Sequence, residues 1–149
     1  MTTTTTHTAT GTFKVTGWNE APVYTRDDRT VEISGVAYPA HGFTRADVSY
    51  DYSGDIHGTG TLAYLIAYIE GTEAPTLGLQ AFEGSIDGHD GTLVLRHDGS
   101  HDATGVHERL DIVDGLGSGG LADMRGHAEI EIAGHSDDGY PITFHYSMG

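Results

Sequence analysis

Glycine punctuates this sequence from end to end. Its 22 glycines, against four prolines, separate short runs that are rich in Val, Ile, Thr, Tyr and Phe. Short β-prone runs bounded by turn residues are typical of all-β sandwiches and barrels and argue against a βαβ fold. The runs predict strands at residues 12–18, 30–38, 46–56, 59–69, 76–86, 92–97, 104–113, 126–132 and 140–148.

Segment 78–99 shows the strand pattern most clearly. On either side of an Asp-Gly-His-Asp-Gly turn the residues alternate, so that Gln80 shares a face with Phe82, and His97 shares one with Leu93 and Leu95. Period-two alternation around an Asp-Gly pair is a strong signal for a β-hairpin. The hairpin is therefore predicted to carry an amide and an imidazole into an apolar interior.

The alternation also predicts how the strands assemble. Closure of an antiparallel sheet into a barrel removes its unpaired edges, and the interior then holds side chains or one small ligand. We predict an all-β fold, a closed or nearly closed antiparallel β-barrel of about eight strands with an interior cavity. Residues 1–11 are expected to be a polar N-terminal lead-in, and residues 12–149 a single barrel domain. The predicted inward face collects Tyr50, Tyr52, Leu62, Tyr64, Ile66, Tyr68, Gln80, Phe82, Leu93, Leu95, His97, Ile130, Ile132, Ile142, Phe144 and Tyr146.

Charge and cysteine content limit the function classes. The chain has 22 acidic and 7 basic residues, a net charge of −15 that repels nucleic-acid phosphates and anionic membranes. An acidic surface is equally typical of proteins from salt-adapted sources. The absence of cysteine excludes disulfides, thiolate zinc sites and cysteine nucleophiles. No signal-peptide pattern or long apolar run occurs, so we expect a cytoplasmic protein.

Five motifs carry a resemblance to a known family: ATGTFKVTGW, YSGDIHGTGTLAYLIAY, GLQAFEGSIDGHDGTLVLRHDGS, GLGSGGLADMRG and ITFHYSM. The chain resembles the bacterial domain-of-unknown-function 3224 family, whose members resemble the allene oxide cyclase barrel. The resemblance implies an allene oxide cyclase-like or lipocalin-like barrel over most of the chain. Residues 21–42 depart from it as a longer insert.

Matched residue by residue, the resemblance also indicates what has changed in the interior. His97 corresponds to the imidazole of the family's Gln-His-Ser-Gly turn. Gln80 stands where relatives tend to carry an acid, and Ala81 where they carry an arginine. The family's tryptophan before the Gly-Ser-Gly loop is absent, with Glu108 in that neighbourhood. Because an amide does not titrate, the comparison predicts a lone imidazole beside a neutral amide, suited to a more neutral ligand.

A cyclase or isomerase is the function we expect first. Such an enzyme folds a small apolar metabolite of polyene or epoxide type inside the barrel, with neutral donors placed where charge develops and with no cofactor or metal. The predicted catalytic residues are His97, Tyr64 and Gln80. The predicted ligand contacts are Tyr50, Tyr68, Phe82, Leu95, Phe144 and Tyr146. A homo-oligomer is plausible for this barrel class, although no residue pattern in the sequence identifies an interface.

Three alternatives stay open. A non-catalytic carrier needs the same apolar pocket with the same convergent polar groups. A metal site has the right residue types but no recognised spacing in the group His89, Asp90, His97, Asp98, His101, Asp102 and His107. A hydrolase with paired carboxylates would draw on Glu32, Asp51, Asp55, Glu83 and Asp87, whereas serine-triad and P-loop signatures are absent.

The insert 21–42 has two interpretations. At a barrel mouth it could act as a lid, with Tyr24, Tyr38 or Phe43 closing over a ligand. An ordinary surface loop explains the same residues.

Overall fold

The computed structural model describes residues 6–33, 35–133 and 138–148. Within these ranges the regular secondary structure consists of β-strands. Their bounds are β1 His7–Thr25, β2 Thr30–Ile33, β3 Val36–Pro39, β4 His41–Gly54, β5 Ile56–Ile69, β6 Ala74–Ile86, β7 His89–Asp102, β8 Gly105–Ile112, β9 Ser118–Gly119, β10 Met124–Ile132 and β11 Tyr140–Met148. No helix in these ranges is long and apolar enough to cross a membrane.

Eight of the strands close into one antiparallel barrel. Their order is β6-β5-β4-β1-β11-β10-β8-β7, and β7 pairs again with β6. The short β9 adds to β7, and β2 pairs with β3 as a separate hairpin. The predicted all-β, closed antiparallel barrel of about eight strands is confirmed. Its interior cavity and its likeness to the allene oxide cyclase barrel stay predictions.

Most strands are longer than predicted; β7, for example, spans His89–Asp102 instead of residues 92–97. β1 begins at His7, so residues 7–11 of the expected lead-in pair with β11, because extended threonines complete the ladder of the last strand. The predicted strand 30–38 is two short paired strands, and Gly35, just before the second of them, has a φ of 82° that suits a turn. The predicted strand 46–56 starts at His41 and ends at Gly54, and Ile56 already belongs to β5.

The β6–β7 turn is tighter than the sequence suggested. Ile86 pairs with His89, so only Asp87 and Gly88 form the loop. Both have positive φ, 50° and 84°, which is the geometry of a type I′ turn. The rest of the expected turn, His89 to Gly91, continues β7.

A β-bulge in β1 reverses which side chains face inward. Up to Val15 the odd-numbered residues lie opposite inward residues of β4, as Phe13 does opposite Tyr52. The register shifts between Val15 and Gly17, so that Trp18 lies opposite Val48. One extra residue exchanges the two faces of a strand because side chains alternate with period two.

The barrel interior has an apolar half and a polar half. The predicted inward face is buried, except that Ile132 is only partly buried. The apolar half lies toward the β6–β7 turn and is filled by side chains such as Ile56, Phe82 and Ile86. The polar half lies toward the β2–β3 hairpin and contains the buried polar residues Thr44, Thr76, Gln80, His97 and Glu108.

Candidate functional site

A chain of hydrogen bonds crosses the barrel interior and joins side chains from the four strands β4, β6, β7 and β8. Tyr52 Oη donates to Gln80 Oε1 over 2.6 Å, and Gln80 Nε2 lies 2.7 Å from His97 Nε2. On its other side His97 Nδ1 lies 3.0 Å from Glu108 Oε1. Gln80 and His97 are 0% and 1% exposed. Buried polar groups in such a chain are costly to leave unpaired, so their positions are strongly fixed.

The directions of these bonds determine the tautomer of His97. Because Tyr52 donates to the amide oxygen of Gln80, the amide nitrogen faces the imidazole and donates to His97 Nε2. His97 Nε2 is then the unprotonated nitrogen, and Nδ1–H donates to the Glu108 carboxylate. His97 is therefore oriented by a carboxylate on one side and an amide on the other.

Glu108 is the centre of the network. Besides His97, its carboxylate accepts hydrogen bonds from Tyr64 Oη and, over 2.7 Å, from Thr76 Oγ1. Burial acts to raise the pKa of Glu108, but the hydrogen bond and charge interaction with His97 and the bonds from Tyr64 and Thr76 outweigh it and hold the pKa below its ordinary value. Burial and the Glu108 charge raise the pKa of Tyr64 far above its usual range. The donors around the carboxylate thus favour its ionised form.

The predicted catalytic residues Tyr64, Gln80 and His97 come together in this network, but the expected lone imidazole was wrong. Glu108, from β8, is a titratable partner for the imidazole. Sequence reasoning missed Glu108 because it considered this residue only as the place of an absent tryptophan. The available signal was the alternation of β8, which places Glu108 and Leu110 on the same buried face.

The predicted ligand contacts do not form one site. Phe82, Leu95 and Phe144 pack in the core. Tyr146 Oη donates to Asp87 Oδ2 over 2.5 Å at the β6–β7 turn, whereas Tyr68 lies at the hairpin end of the barrel. Tyr50 packs edge-on against a core phenylalanine, with ring centroids 5.4 Å apart. These tyrosines are distributed along the whole barrel.

A pocket of about 520 Å³ opens between the second half of β1 and the β2–β3 hairpin, and we call it the mouth pocket. Its lining includes Trp18, Glu20, Pro22, Tyr38 and Thr44. The bulge in β1 places Trp18 and Glu20 on this side of the strand. Sequence reasoning missed both residues because the extra residue in β1 is invisible to period-two analysis.

Glu20 is held at the wall of the mouth pocket by three donors. Trp18 Nε1 donates to Glu20 Oε1 over 2.9 Å, and Glu20 Oε2 accepts from Thr44 Oγ1 over 2.5 Å and from Tyr68 Oη over 2.6 Å. The ring of Tyr38 stacks on Tyr68, with centroids 5.3 Å apart. Burial, followed by the Glu20 hydrogen bond and charge, raises the pKa of Tyr68 well above its usual range.

Trp18 connects the mouth pocket to the interior network. Its indole contacts Tyr64 edge-on, with ring centroids 6.3 Å apart, and Tyr64 in turn bonds Glu108. Trp18 is 49% exposed, whereas Tyr64 is 5% exposed. The indole therefore separates solvent in the pocket from the buried Tyr64–Glu108 pair.

The insert 21–42 contributes only partly as expected. Tyr38 lines the mouth pocket and stacks on Tyr68, as a lid residue would. Tyr24 and Phe43 pack on each other, with centroids 6.2 Å apart, and neither belongs to the pocket lining. Residues 21–25 extend β1.

Of the other sites considered, the fold gathers only Asp55 and Asp87, where Asp87 N–H donates to the Asp55 carbonyl oxygen over 2.8 Å and both carboxylates lie near Tyr146. Within the described ranges no group of three or more His, Asp or Glu residues could hold a metal ion. His89 and His101 lie at opposite ends of β7, and His101 Nε2 lies 2.5 Å from the carbonyl oxygen of Ala67. Of the proposed hydrolase carboxylates, Asp51 and Glu83 are exposed on the outer wall. Glu32 lies in β2, away from both.

Comparisons with known proteins concern the whole barrel. The model of a family described as "Protein of unknown function (DUF3224)" matches residues 9–146. A similar solved structure is the 1.84 Å crystal structure of a protein with unknown function from the DUF3224 family of Shewanella oneidensis MR-1. It is 16% identical, with a TM-score of 0.69 over 97% of this chain and 99% of that chain. With 16% sequence identity, the likeness between the two structures shows a shared fold and nothing more specific. No curated protein matches the chain.

Proposed function

The chain belongs to the DUF3224 family of proteins of unknown function, and on that premise we propose that it is a small-molecule-binding barrel whose ligand occupies the mouth pocket. The ligand we propose has an apolar, ring-bearing body and one hydrogen-bond donor, such as an amine or a hydroxyl. The observation that carries the proposal is the Glu20 carboxylate, fixed by three side chains at the wall of a pocket that Trp18 and Tyr38 also line.

The size and lining of the mouth pocket support this choice. Its volume of about 520 Å³ is within the range typical of small-molecule sites. Trp18 and Tyr38 supply aromatic faces, and Pro22 adds a further apolar contact. Charged side chains also line the pocket, among them Asp27, Asp28 and Arg29, and placed polar groups of this kind fix the orientation of a ligand. Three donors already occupy Glu20, and a carboxylate accepts about four hydrogen bonds, so one acceptor position remains for a ligand.

Cyclase or isomerase activity is the second candidate, and the Tyr64–Glu108 pair is the observation that favours it. An ionised buried carboxylate is a candidate general base, and the hydrogen bond from Tyr64 Oη orients it. The pair lies directly behind Trp18. In such a cyclase or isomerase reaction His97 would have a smaller role than the Tyr64–Glu108 pair, because Gln80 and Glu108 already engage both of its ring nitrogens.

Trp18 is the only tryptophan in the chain, which makes it a reporter at the pocket wall. We would titrate the protein with N-phenyl-1-naphthylamine, an aromatic amine with one N–H donor, and follow Trp18 emission. Binding in the mouth pocket is expected to quench this emission. Loss of a hydrogen bond to a charged group costs about 1.5 to 3 kcal/mol, so Glu20→Gln is expected to weaken binding about tenfold or more.

Glu83→Gln is the matched control, since it removes one carboxylate from the exposed outer wall. It is expected to leave the affinity unchanged. Unchanged Trp18 emission on addition of the amine, or equal affinity for wild type and Glu20→Gln, would contradict the proposal. Product formation from a bound ligand, abolished by Tyr64→Phe, would favour the isomerase version over simple binding.

A further inference from the structure

The outer face of β5 and β6 carries an exposed apolar patch. Leu65, Leu77 and Leu79 are 37%, 51% and 53% exposed. Leu65 pairs with Leu77, and Ala63 pairs with Leu79, so the four side chains form a compact block on the outer wall. We call this block the leucine face. A surface depression of about 630 Å³ extends from Ala63, Leu77 and Leu79 toward Arg96 and Asp98 on β7.

Two charged residues border the leucine face on each side, in a defined order. The strand register gives one row across the sheet as Arg45, Leu65, Leu77 and Asp98. The next row reads Asp47, Ala63, Leu79 and Arg96. Each row therefore ends in one positive and one negative charge, and the order of signs is reversed between the two rows.

We propose that a second copy of this chain docks on the leucine face to form a two-fold symmetric dimer. In such a dimer the same patch meets itself, so it must be complementary to its own image. A two-fold axis along the strands brings Arg45 opposite Asp98 of the partner subunit, and Asp47 opposite Arg96 of the partner subunit. An axis across the strands pairs Arg45 with the partner's Asp47, and Arg96 with the partner's Asp98. Both axes match every charge with its opposite.

The distribution of charge around the leucine face favours a second copy of this chain as the binding partner. The chain has a net charge of −15, which opposes association of two copies wherever the surface is acidic. The border of the leucine face is locally neutral, with two of the seven basic residues of the chain beside two aspartates. Like-charge contacts are thereby avoided where the leucines meet, and complementary charges fix the register.

The existing ion pairs leave these charges available. Arg45 Nη2 lies 3.6 Å from Asp47 Oδ1, and Arg96 Nη2 lies 4.0 Å from Asp111 Oδ2. Both arginine side chains are 62% exposed. Exposed pairs of this kind contribute little to stability, so their side chains can turn to a partner at low cost.

Sedimentation velocity over a range of concentrations tests the proposal. The wild type is expected to sediment with twice the mass of one chain, and Leu79→Asp as a monomer. Leu116→Asp is the matched control, because Leu116 is 57% exposed in a loop outside the leucine face and the substitution adds the same charge. It is expected to remain a dimer. A monomeric wild type, or a dimer that Leu79→Asp does not weaken, would overturn the proposal.

Charge exchange tests the pairing itself. Asp47→Arg alone places like charges together under either axis and is expected to weaken the dimer. Adding Arg96→Asp restores the contacts if the axis runs along the strands, and adding Arg45→Asp restores them if it runs across. Recovery in one of the two double variants supports the proposal and identifies the axis. Recovery in neither would overturn the charge matching. Thermal unfolding of each variant checks that the barrel is intact.

Discussion

Replacing Glu108 by glutamine tests whether the interior network depends on a carboxylate. The substitution keeps the shape of the side chain but replaces one acceptor oxygen by an NH₂ donor. His97, Tyr64 and Thr76 all donate to this carboxylate, so at least one of them must then face a second donor. Each buried group left unpaired costs about 1 to 3 kcal/mol. We expect Glu108→Gln to lower the free energy of unfolding by about 3 kcal/mol.

The loss should also depend on pH. The folded-state pKa of Glu108 lies below its ordinary value of 4.5, because the donors around the carboxylate outweigh its burial. Ionised Glu108 therefore stabilises the fold fully above pH 4.5, and this stabilisation disappears as the pH falls through the lowered folded-state pKa. The difference between wild type and Glu108→Gln is expected to be constant above pH 4.5 and to shrink below it.

Urea unfolding followed by circular dichroism, repeated from neutral to acidic pH, measures both quantities. Glu83→Gln is the control, since an exposed carboxylate on the outer wall is expected to change stability by less than about 0.5 kcal/mol. A Glu108→Gln protein as stable as this control would refute the reasoning. So would a stability difference that persists unchanged at acidic pH.

Two further predictions concern other parts of the barrel. A Cβ on Gly60 would lie 2.0 Å from Gln80 Oε1, so Gly60→Ala is expected to displace the amide and cost about 2 to 5 kcal/mol in urea unfolding. The same change should cost much less in a Gln80→Ala background, and equal costs in both would contradict the steric explanation. Burial, followed by the hydrogen bond and charge of Asp87, raises the pKa of Tyr146 to about 12. This contact stabilises the fold up to about pH 10, and the stabilisation is lost as the pH rises toward 12. Asp87→Asn should therefore lower the pKa of Tyr146, which ultraviolet titration of the tyrosines measures. The Tyr146→Phe variant identifies which part of the titration signal belongs to Tyr146.

Period-two alternation predicted the barrel and most of its interior because each inward position is decided locally by its own strand. Gln80, His97 and Tyr64 were placed on the inner face in this way. The alternation of β8 places Glu108 on the inner face as well. Its contact with Tyr64, 44 positions away in the sequence, depends on how the barrel closes, which alternation does not specify. Glu20 could not be assigned to a pocket, because its orientation depends on one extra residue in β1.

That extra residue gives the mouth pocket an unusual origin. Beyond the bulge, Trp18 and Glu20 face the same side as Val48 and Ala46 of β4, whereas an uninterrupted strand would turn them to the opposite wall. Loss of a single residue near Thr16 would therefore remove an aromatic face and a carboxylate from the pocket together, while the strands that close the barrel kept their partners. Insertions and deletions in this strand, more than substitutions, would then be the changes by which related barrels acquire or lose a binding site.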